Sequence, residues 1–294
     1  MNIIDGKKIS NQIKEEIKSE VQNIISNGGT PPHLAAVLVG DDGASLTYVG
    51  SKVKSCEQVG FKSTLIKLSE NVSEKELLNK IKELNNNKEI DGFIVQLPLP
   101  KHIDEQKILL SIDPNKDVDG FHPTNFGKMA LNMETFIPAT PYGIMELLKR
   151  YKIETKGKHT VVIGRSHIVG RPISILMNSK GTVGDSTVTV THSRTINIES
   201  YIKKADIVVS ALGIPGFVKK NMLKDGVVII DVGITRVKSD EHPKGYTIQG
   251  DVDFESAKEV ASYITPVPGG VGPMTIAMLL KNTLLSKSLS KDMF

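Results

Sequence analysis

Tyr48, Lys52 and Cys56 follow one another at intervals of four, with Val49, Val53 and Val59 beside them. On a helix over 44–59, ended by Gly60, that spacing stands the three side chains near one face. A lysine on a partly apolar face loses hydration, which favours its neutral form and lets it act as a general acid or base near neutral pH. The same spacing also suits a lysine whose stem lies along apolar surface and whose ammonium reaches water beside a core tyrosine, the commoner outcome of such a pattern. Cys56 reads as a small buried hydrophobe. Two other segments place polar groups where ligands bind. Gln96-Leu97-Pro98-Leu99-Pro100 puts an amide at the end of the apolar run 91–96, the position at which open α/β sheets hold ligands. Lys116-Asp117-Val118-Asp119-Gly120-Phe121 puts two carboxylates in a turn, where solvated acids are ordinary. Asp117, Asp119 and His122 have no clear metal-ligand spacing, so no metal is expected.

A second chemistry is legible further on. The strand pattern 160–163 runs into Gly164-Arg165-Ser166-His167-Ile168-Val169-Gly170-Arg171-Pro172, after which Ile173, Leu176 and Met177 have helical spacing. Strand, tight turn and helix in that order form a dinucleotide-binding unit: Gly164 turns the chain, the helix amino terminus offers unpaired N–H groups to a pyrophosphate, and Gly170 permits close packing. Ser166 stands where the pattern has its middle glycine. Gly164, Arg165, Ser166 and Ile168 are the expected cofactor contacts; a glycine-rich turn without a ligand is the bland alternative. The next strand, 187–191, ends in His192-Ser193-Arg194 instead of the acid that would hold a ribose 2′-hydroxyl. Ser193, Arg194 and Arg165 suit a 2′-phosphate, which favours NADP over NAD, unless Arg194 is only a solvated loop charge.

The elements that must position these groups alternate strand and helix. Apolar runs at 34–39 and 91–96 read as buried strands, and between them lie the helix of Lys52 and a second at 73–84, opened by the capping box of Ser73 and Glu76. A stretch rich in Asp, Pro, Asn and Gly, 111–140, separates this α/β half from a second, in which strands at 160–163, 187–191, 206–210 and 227–231 predict a parallel, doubly wound sheet. A Pro/Gly loop at 266–273 precedes an apolar helix, 274–285, which must pack on something, back on the first domain being one solution. The chain of 294 residues therefore reads as two α/β domains, 1–138 with the terminal helix 273–294, and 139–272, with the site in an interdomain cleft. Net charge is +4 without a basic run interleaved with aromatics, which argues against nucleic acid as a partner. The only cysteine is Cys56, and no apolar stretch is long enough to span a bilayer, so a cytoplasmic protein with no membrane partner is expected.

Taken in order, the motifs resemble one family, the bifunctional methylenetetrahydrofolate dehydrogenase/methenyltetrahydrofolate cyclohydrolases of the FolD type. They are Ala44 to Lys52, Asp91 to Pro100, Lys116 to Phe121, Pro138-Ala139-Thr140-Pro141, the Gly164 loop, Asp231-Val232-Gly233-Ile234, Gly250-Asp251-Val252-Asp253, and Pro266 to Thr275. The resemblance covers nearly the whole chain. It implies oxidation of methylenetetrahydrofolate with NADP, then hydrolysis of the methenyl product to 10-formyltetrahydrofolate. It further implies that Lys52 is the catalytic lysine of hydrolysis, Tyr48 stacks on or orients the folate, Gln96 bonds the lysine, and Asp119 anchors the pterin. Leu97, Gly272 and Pro273 join the folate site, Ile234 contacts the cofactor, and the protein is a homodimer by analogy. The chain departs from the pattern at Ala139, where many members carry Cys. Two other readings compete: an NADP dehydrogenase acting on a carbonyl or hydroxy acid, which has no need of Lys52 facing Gln96 and Asp119, and a catalytically silent NADP-binding module.

Overall fold

Strands form where β-branched residues run together, and helices where caps and periodicity begin and end them. A computed structural model describes residues 1–240 and 245–289. In chain order the elements are β1 (Asn2–Ile3), α1 (Gly6–Ser26), β2 (His33–Val39), α2 (Gly43–Val59), β3 (Lys62–Leu68), α3 (Glu74–Asn86), β4 (Gly92–Val95), α4 (Glu105–Leu110) and α5 (Pro123–Ala130). They continue as α6 (Ala139–Arg150), β5 (His159–Ile163), α7 (Gly170–Asn178), β6 (Thr187–Thr191), α8 (Ile198–Ile202), β7 (Ile207–Ser210) and β8 (Val227–Asp231). After these come β9 (Thr235–Lys238), β10 (Tyr246–Gln249), α9 (Phe254–Ala257), β11 (Ala261–Ile264) and α10 (Val271–Leu289).

The chain divides into two compact units, Asn11–Ala139 with the segment from Ile276 onward, and Met1–Ser10 with Thr140–Thr275. The first ten residues thus leave the half to which their place in the sequence assigned them. The cause is β1, which pairs in parallel with β11 through Asn2↔Tyr263 and Ile3↔Ile264.

In the first unit the sheet order is β3-β2-β4, all parallel. Ala35, Val37, Phe93 and Val95 on its strands pack with Leu77, Ile81 and Leu84 of α3. Asp42 caps α2 by accepting from Ser45 N at 2.8 Å, and Gly60, at φ +81°, ends it. Ser73 and Glu76 form the expected capping box of α3. The stretch 111–140 is not structureless: it holds α5, whose Pro123 sits in the first helical turn where a missing N–H is harmless. The carboxyl-terminal helix α10 lies in this unit from Ile276 on, with Met278, Leu279 and Leu280 buried. Its buried polar groups are satisfied. Asn282 Nδ2 donates to the carbonyls of Val118 and Ile137 at 2.8 and 2.9 Å, and Ser286 Oγ to that of Asp91 at 2.5 Å. Residues 290–294, the end of the expected terminal helix, lie outside the described residues. Among those described, no helix is long and apolar enough to cross a membrane.

In the second unit six parallel strands run β1-β11-β8-β7-β5-β6. From β5 the chain steps outward to β6, then returns past β5 to β7 and on to β8. The order therefore reverses at the carboxyl ends of β5 and β7, the crevice in which doubly wound sheets hold ligands. Its core joins Val161, Ile163, Val208 and Ile229 of the strands to Ile202, Ala205 and Ala257. One boundary differs from the sequence expectation: α10 starts at Val271, so Gly272 and Pro273 belong to its first turn and not to the preceding loop. Proline is tolerated there because the first amides of a helix have no intrahelical acceptor.

Candidate functional site

In the first unit the strand order also reverses, between β2 and β4, and three segments meet at that edge. β2 leads through Gly40 and Asp41 to α2, which carries Tyr48 and Lys52. β4 ends at Gln96, whose N–H donates to Val37 O at 2.9 Å and so extends the sheet by one residue. The 116–121 turn lies beside β4, with Phe93 bridged to Asp117. Lys52 is 6% exposed, and its Nζ donates to Gln96 Oε1 at 3.2 Å. The same Nζ stands 5.0 Å from the centroid of the Tyr48 ring, within the range of cation–π attraction. Tyr48 itself is 36% exposed, so the ring shields the amine on one side and faces solvent on the other. Gln96 is held in turn: its Nε2 donates to Leu97 O at 2.7 Å, which fixes Oε1 as the group presented to the lysine.

Burial pulls the pKa of Lys52 below its ordinary value; the charge of Asp119, and less so Cys56, works the other way. Burial also pushes the half-buried Asp119 carboxyl up, against the pull of Lys52. Burial thus disfavours the charge on each group, while each group's charge favours that of its neighbour. Snorkelling, the commoner reading of the spacing, does not describe this lysine. Cys56 is a free, buried thiol pushed up to about 12, chiefly by burial, which makes it a packing residue.

The neighbouring Asp117 has a different task. Its Oδ2 accepts from His122 N at 2.7 Å and from Asn125 Nδ2 at 2.9 Å, and Asn125 Oδ1 accepts from Thr135 Oγ1 at 2.8 Å. This chain of bonds sets the turn that carries Asp119. Burial first, opposed by these donors, brings the Asp117 carboxyl to about 7. Among the described residues no group of three or more His, Cys, Asp or Glu could hold a metal ion.

The second unit carries the glycine turn. Gly164 has φ +117°, and a Cβ there would meet Ala211 O at 2.4 Å. A Cβ on Gly170 would meet Gly164 O at 2.3 Å, so neither position accepts a larger residue. Ser166 resolves its departure from the usual pattern. Its Oγ accepts from the N–H groups of Val169 and Gly170, both at 3.2 Å, so the hydroxyl caps the start of α7 from within the loop. The unpaired donors consequently lie earlier than the sequence argument placed them. Among the described residues the N–H groups of Arg165, Ser166, His167 and Ile168 make no hydrogen bond.

After β6, His192 N donates to Thr195 Oγ1 at 2.9 Å and Arg194 N to His192 Nδ1 at 3.2 Å. This small turn leaves Ser193 and Arg194 exposed, without an ion pair to Arg194 among the described residues. Ile168, Ile214 and Ile234, which follow β5, β7 and β8, are large exposed apolar side chains. A Cβ on Gly272 would lie 3.3 Å from Ile234 Cδ1, which puts the start of α10 beside the segment after β8. Pro273 accepts there from Ser10 Oγ at 2.9 Å.

Sequence reasoning named Tyr48, Lys52, Gln96, Leu97 and Asp119 from separate segments, and the first unit brings Tyr48, Gln96 and Asp119 to the Lys52 amine, with Leu97 O bonded to Gln96 behind them. Gly164, Arg165, Ser166, Ile168, Ser193, Arg194 and Ile234 all lie past the carboxyl ends of strands in the second unit, with Gly272 and Pro273 near Ile234. Ile214 escaped notice because the strand before it is short and the Gly-Ile-Pro-Gly that follows reads only as a turn.

Comparison with known proteins bears on both units. Residues 4–119 match the tetrahydrofolate dehydrogenase/cyclohydrolase catalytic domain, and residues 138–291 the NAD(P)-binding domain of the same name. A relative from Flavobacterium johnsoniae named bifunctional protein FolD is 70% identical over 289 residues, covering 98% of each chain. The crystal structure of the bifunctional FolD methylenetetrahydrofolate dehydrogenase/cyclohydrolase from Campylobacter jejuni is similar at a TM-score of 0.93 with 47% identity, covering 99% of both chains. That of the Trypanosoma brucei enzyme, complexed with NADP cofactor and inhibitor, gives 0.92 and 39%, covering 98% of this chain and 97% of its own.

Proposed function

The chain belongs to the tetrahydrofolate dehydrogenase/cyclohydrolase family, and on that premise we propose that it oxidises 5,10-methylenetetrahydrofolate with NADP and then hydrolyses the methenyl product to 10-formyltetrahydrofolate. The first unit is the folate-binding and catalytic domain, and the second binds the dinucleotide. The observation that carries this reading is the buried Lys52 amine, bonded to Gln96, set over Tyr48 and within the field of Asp119. A plain dehydrogenase has no use for such a group, and a silent binding module has less.

The residues present fit the cofactor. Gly164 and Gly170 let the turn close tightly on Ala211 and on the start of α7, where any side chain would clash with backbone, and the unpaired N–H groups of Arg165 to Ile168 are donors for a pyrophosphate. Arg165, Ser193 and Arg194 offer charge and a hydroxyl to a 2′-phosphate, with no carboxylate at the end of β6 to repel it. Ile168 and Ile234 supply apolar contact. When bound, NADP supplies the hydride acceptor for the methylene carbon. Toward that step the first unit binds and orients: Asp119 anchors the pterin, Tyr48 stacks on the folate, and Leu97 lies beside Gln96 at the same edge.

Hydrolysis is the step in which the chain moves protons. The methenyl carbon, cationic between N5 and N10, takes a water oxygen as the amine of Lys52 accepts a proton from that water. The C–N5 bond then breaks, one of the water's two protons ends on N5, the other is released, and the carbon becomes the formyl group on N10. A neutral amine is required at the start. Burial favours it by lowering the pKa of Lys52, and the positive charge of the substrate disfavours a second cation beside it. Gln96 holds the amine on the reacting side throughout.

Purified protein given methylenetetrahydrofolate and either NADP or NAD, with methenyl and reduced-cofactor absorbance followed together, tests the reading. NADP should be reduced much faster than NAD, and Arg194→Ala should narrow the preference by about tenfold, the worth of one charge-assisted hydrogen bond. Equal rates with both cofactors would overturn the role of Ser193 and Arg194. The same reading makes the protein a cytosolic homodimer: its single thiol is buried, and the family analogy supplies the pairing. Light scattering at working concentration should give about twice the mass of one chain; the mass of a single chain would refute the dimer.

A further inference from the structure

Two buried carboxylates of the second unit have no part in the chemistry above. Asp251 is 0% and Asp231 3% exposed, and both sit behind the carboxyl ends of the central strands. Burying charge is unfavourable unless hydrogen bonds answer it, and here they do. Asp251 Oδ2 accepts from Leu212 N at 2.6 Å and Ser210 Oγ at 3.3 Å, while its Oδ1 accepts from Ile214 N at 2.9 Å. Asp231 Oδ1 accepts from Gly233 N at 2.9 Å and Asp251 N at 3.0 Å, and its Oδ2 from Val252 N at 3.0 Å.

The two glycines of the motifs at 231–234 and 250–253 exist for these carboxylates. A Cβ on Gly233 would meet Asp251 Oδ1 at 2.3 Å, and one on Gly250 would meet Asp231 Oδ2 at 2.0 Å. Each Asp therefore packs against the other's glycine, and the pair crosses between the segments after β8 and β10. Its output is the 211–214 loop after β7. Ala211 N donates to Ile163 O at 2.9 Å, and Ala211 O is the atom that forbids a Cβ on Gly164. The loop is thus one wall of the glycine turn, and Ile214 is its exposed apolar tip.

We propose that Asp251, backed by Asp231, is a positioning residue for the dinucleotide, holding the 211–214 loop in the conformation that receives NADP beside the Gly164 turn. The inference rests on the NADP reading given above. A structural carboxylate pair with no such task would affect both activities together, because both need a folded chain. A positioning role separates them, since hydrolysis of methenyltetrahydrofolate supplied directly needs no dinucleotide.

Asp251→Asn keeps the shape but turns an amide NH₂ toward the N–H of Leu212 or Ile214, two donors face to face, so the loop must move. The expected result is a Kd for NADP by titration calorimetry, and a dehydrogenase KM for NADP, both raised about tenfold or more, with hydrolysis within about twofold of wild type. Gly213→Ala is the second variant, at an exposed turn of the same loop with free space around it, where φ +72° strains alanine in the loop itself and no core contact is disturbed. It should weaken NADP binding in the same selective way, and it decides the matter if Asp251→Asn yields no folded protein. Wild type that binds no NADP would sink the earlier reading. Wild type that binds it, with variants that bind equally well or lose both activities in step, would sink the positioning role alone.

Discussion

Lys52→Met is expected to lower hydrolysis of methenyltetrahydrofolate by about 10²–10⁴-fold, the range for a general base, while oxidation of methylenetetrahydrofolate stays measurable. Methionine matches the lysine stem and suits a slot that is 6% exposed, so the change removes the amine without opening a cavity. Stability supplies the control. Because the folded state holds the pKa of Lys52 below its ordinary 10.5, the native chain binds fewer protons at this site than the unfolded one, and stability from this group rises with pH in that window. Below it the buried cation is a penalty that methionine does not carry, so the variant should unfold no earlier than wild type at neutral pH. In wild type the hydrolysis rate should climb with pH as the lysine loses its proton and level off before pH 10.5, the ordinary lysine value. In Lys52→Met that limb should vanish. A variant that still hydrolyses at the wild-type rate, or one that loses both activities with a lowered unfolding midpoint, would refute the assignment.

Much of this arrangement is legible in the chain. Strands at 160–163 and 187–191 announce themselves by β-branched runs, Ser73 and Glu76 by their spacing, and the end of α2 by Gly60. Tyr48, Gln96 and Asp119 were legible as separate motifs, and their meeting at the lysine amine only through the resemblance to the family. Their meeting depends on the reversal of strand order at β2 and β4, a pairing between segments far apart in sequence. What escaped the sequence did so for similar reasons. β1 is two residues long and exists only through β11, and β3 mixes lysine, serine and threonine into its apolar positions, as an edge strand does. The start of α10 was masked by Pro273, which reads as a breaker although the first helical turn tolerates it. Asp231 and Asp251 are a harder case. Asp231 ends a strand and Asp251 looks like a loop acid, and only the crossing of two Gly/Asp segments reveals that both are buried and bonded.

Asp119→Asn should raise the KM for folate in both activities by about 10–100-fold and leave the Kd for NADP unchanged. The carboxylate carries the folate anchor in this reading, and a charge-assisted hydrogen bond is worth about 1.5–3 kcal/mol, or one to two factors of ten. A second effect separates this role from simple binding. The charge of Asp119 raises the pKa of Lys52 against the larger effect of burial. With that charge gone, the lysine should lose its proton at lower pH, and the rising limb of hydrolysis, measured at saturating folate, should move toward acid. Two signs are thus fixed in advance for one substitution: binding weakens while the base becomes easier to free. A folate KM equal to wild type would remove Asp119 from the substrate site. A limb shifted toward alkali would mean that the carboxylate does not act on Lys52 through its charge, and that the amine is tuned by burial and Gln96 alone.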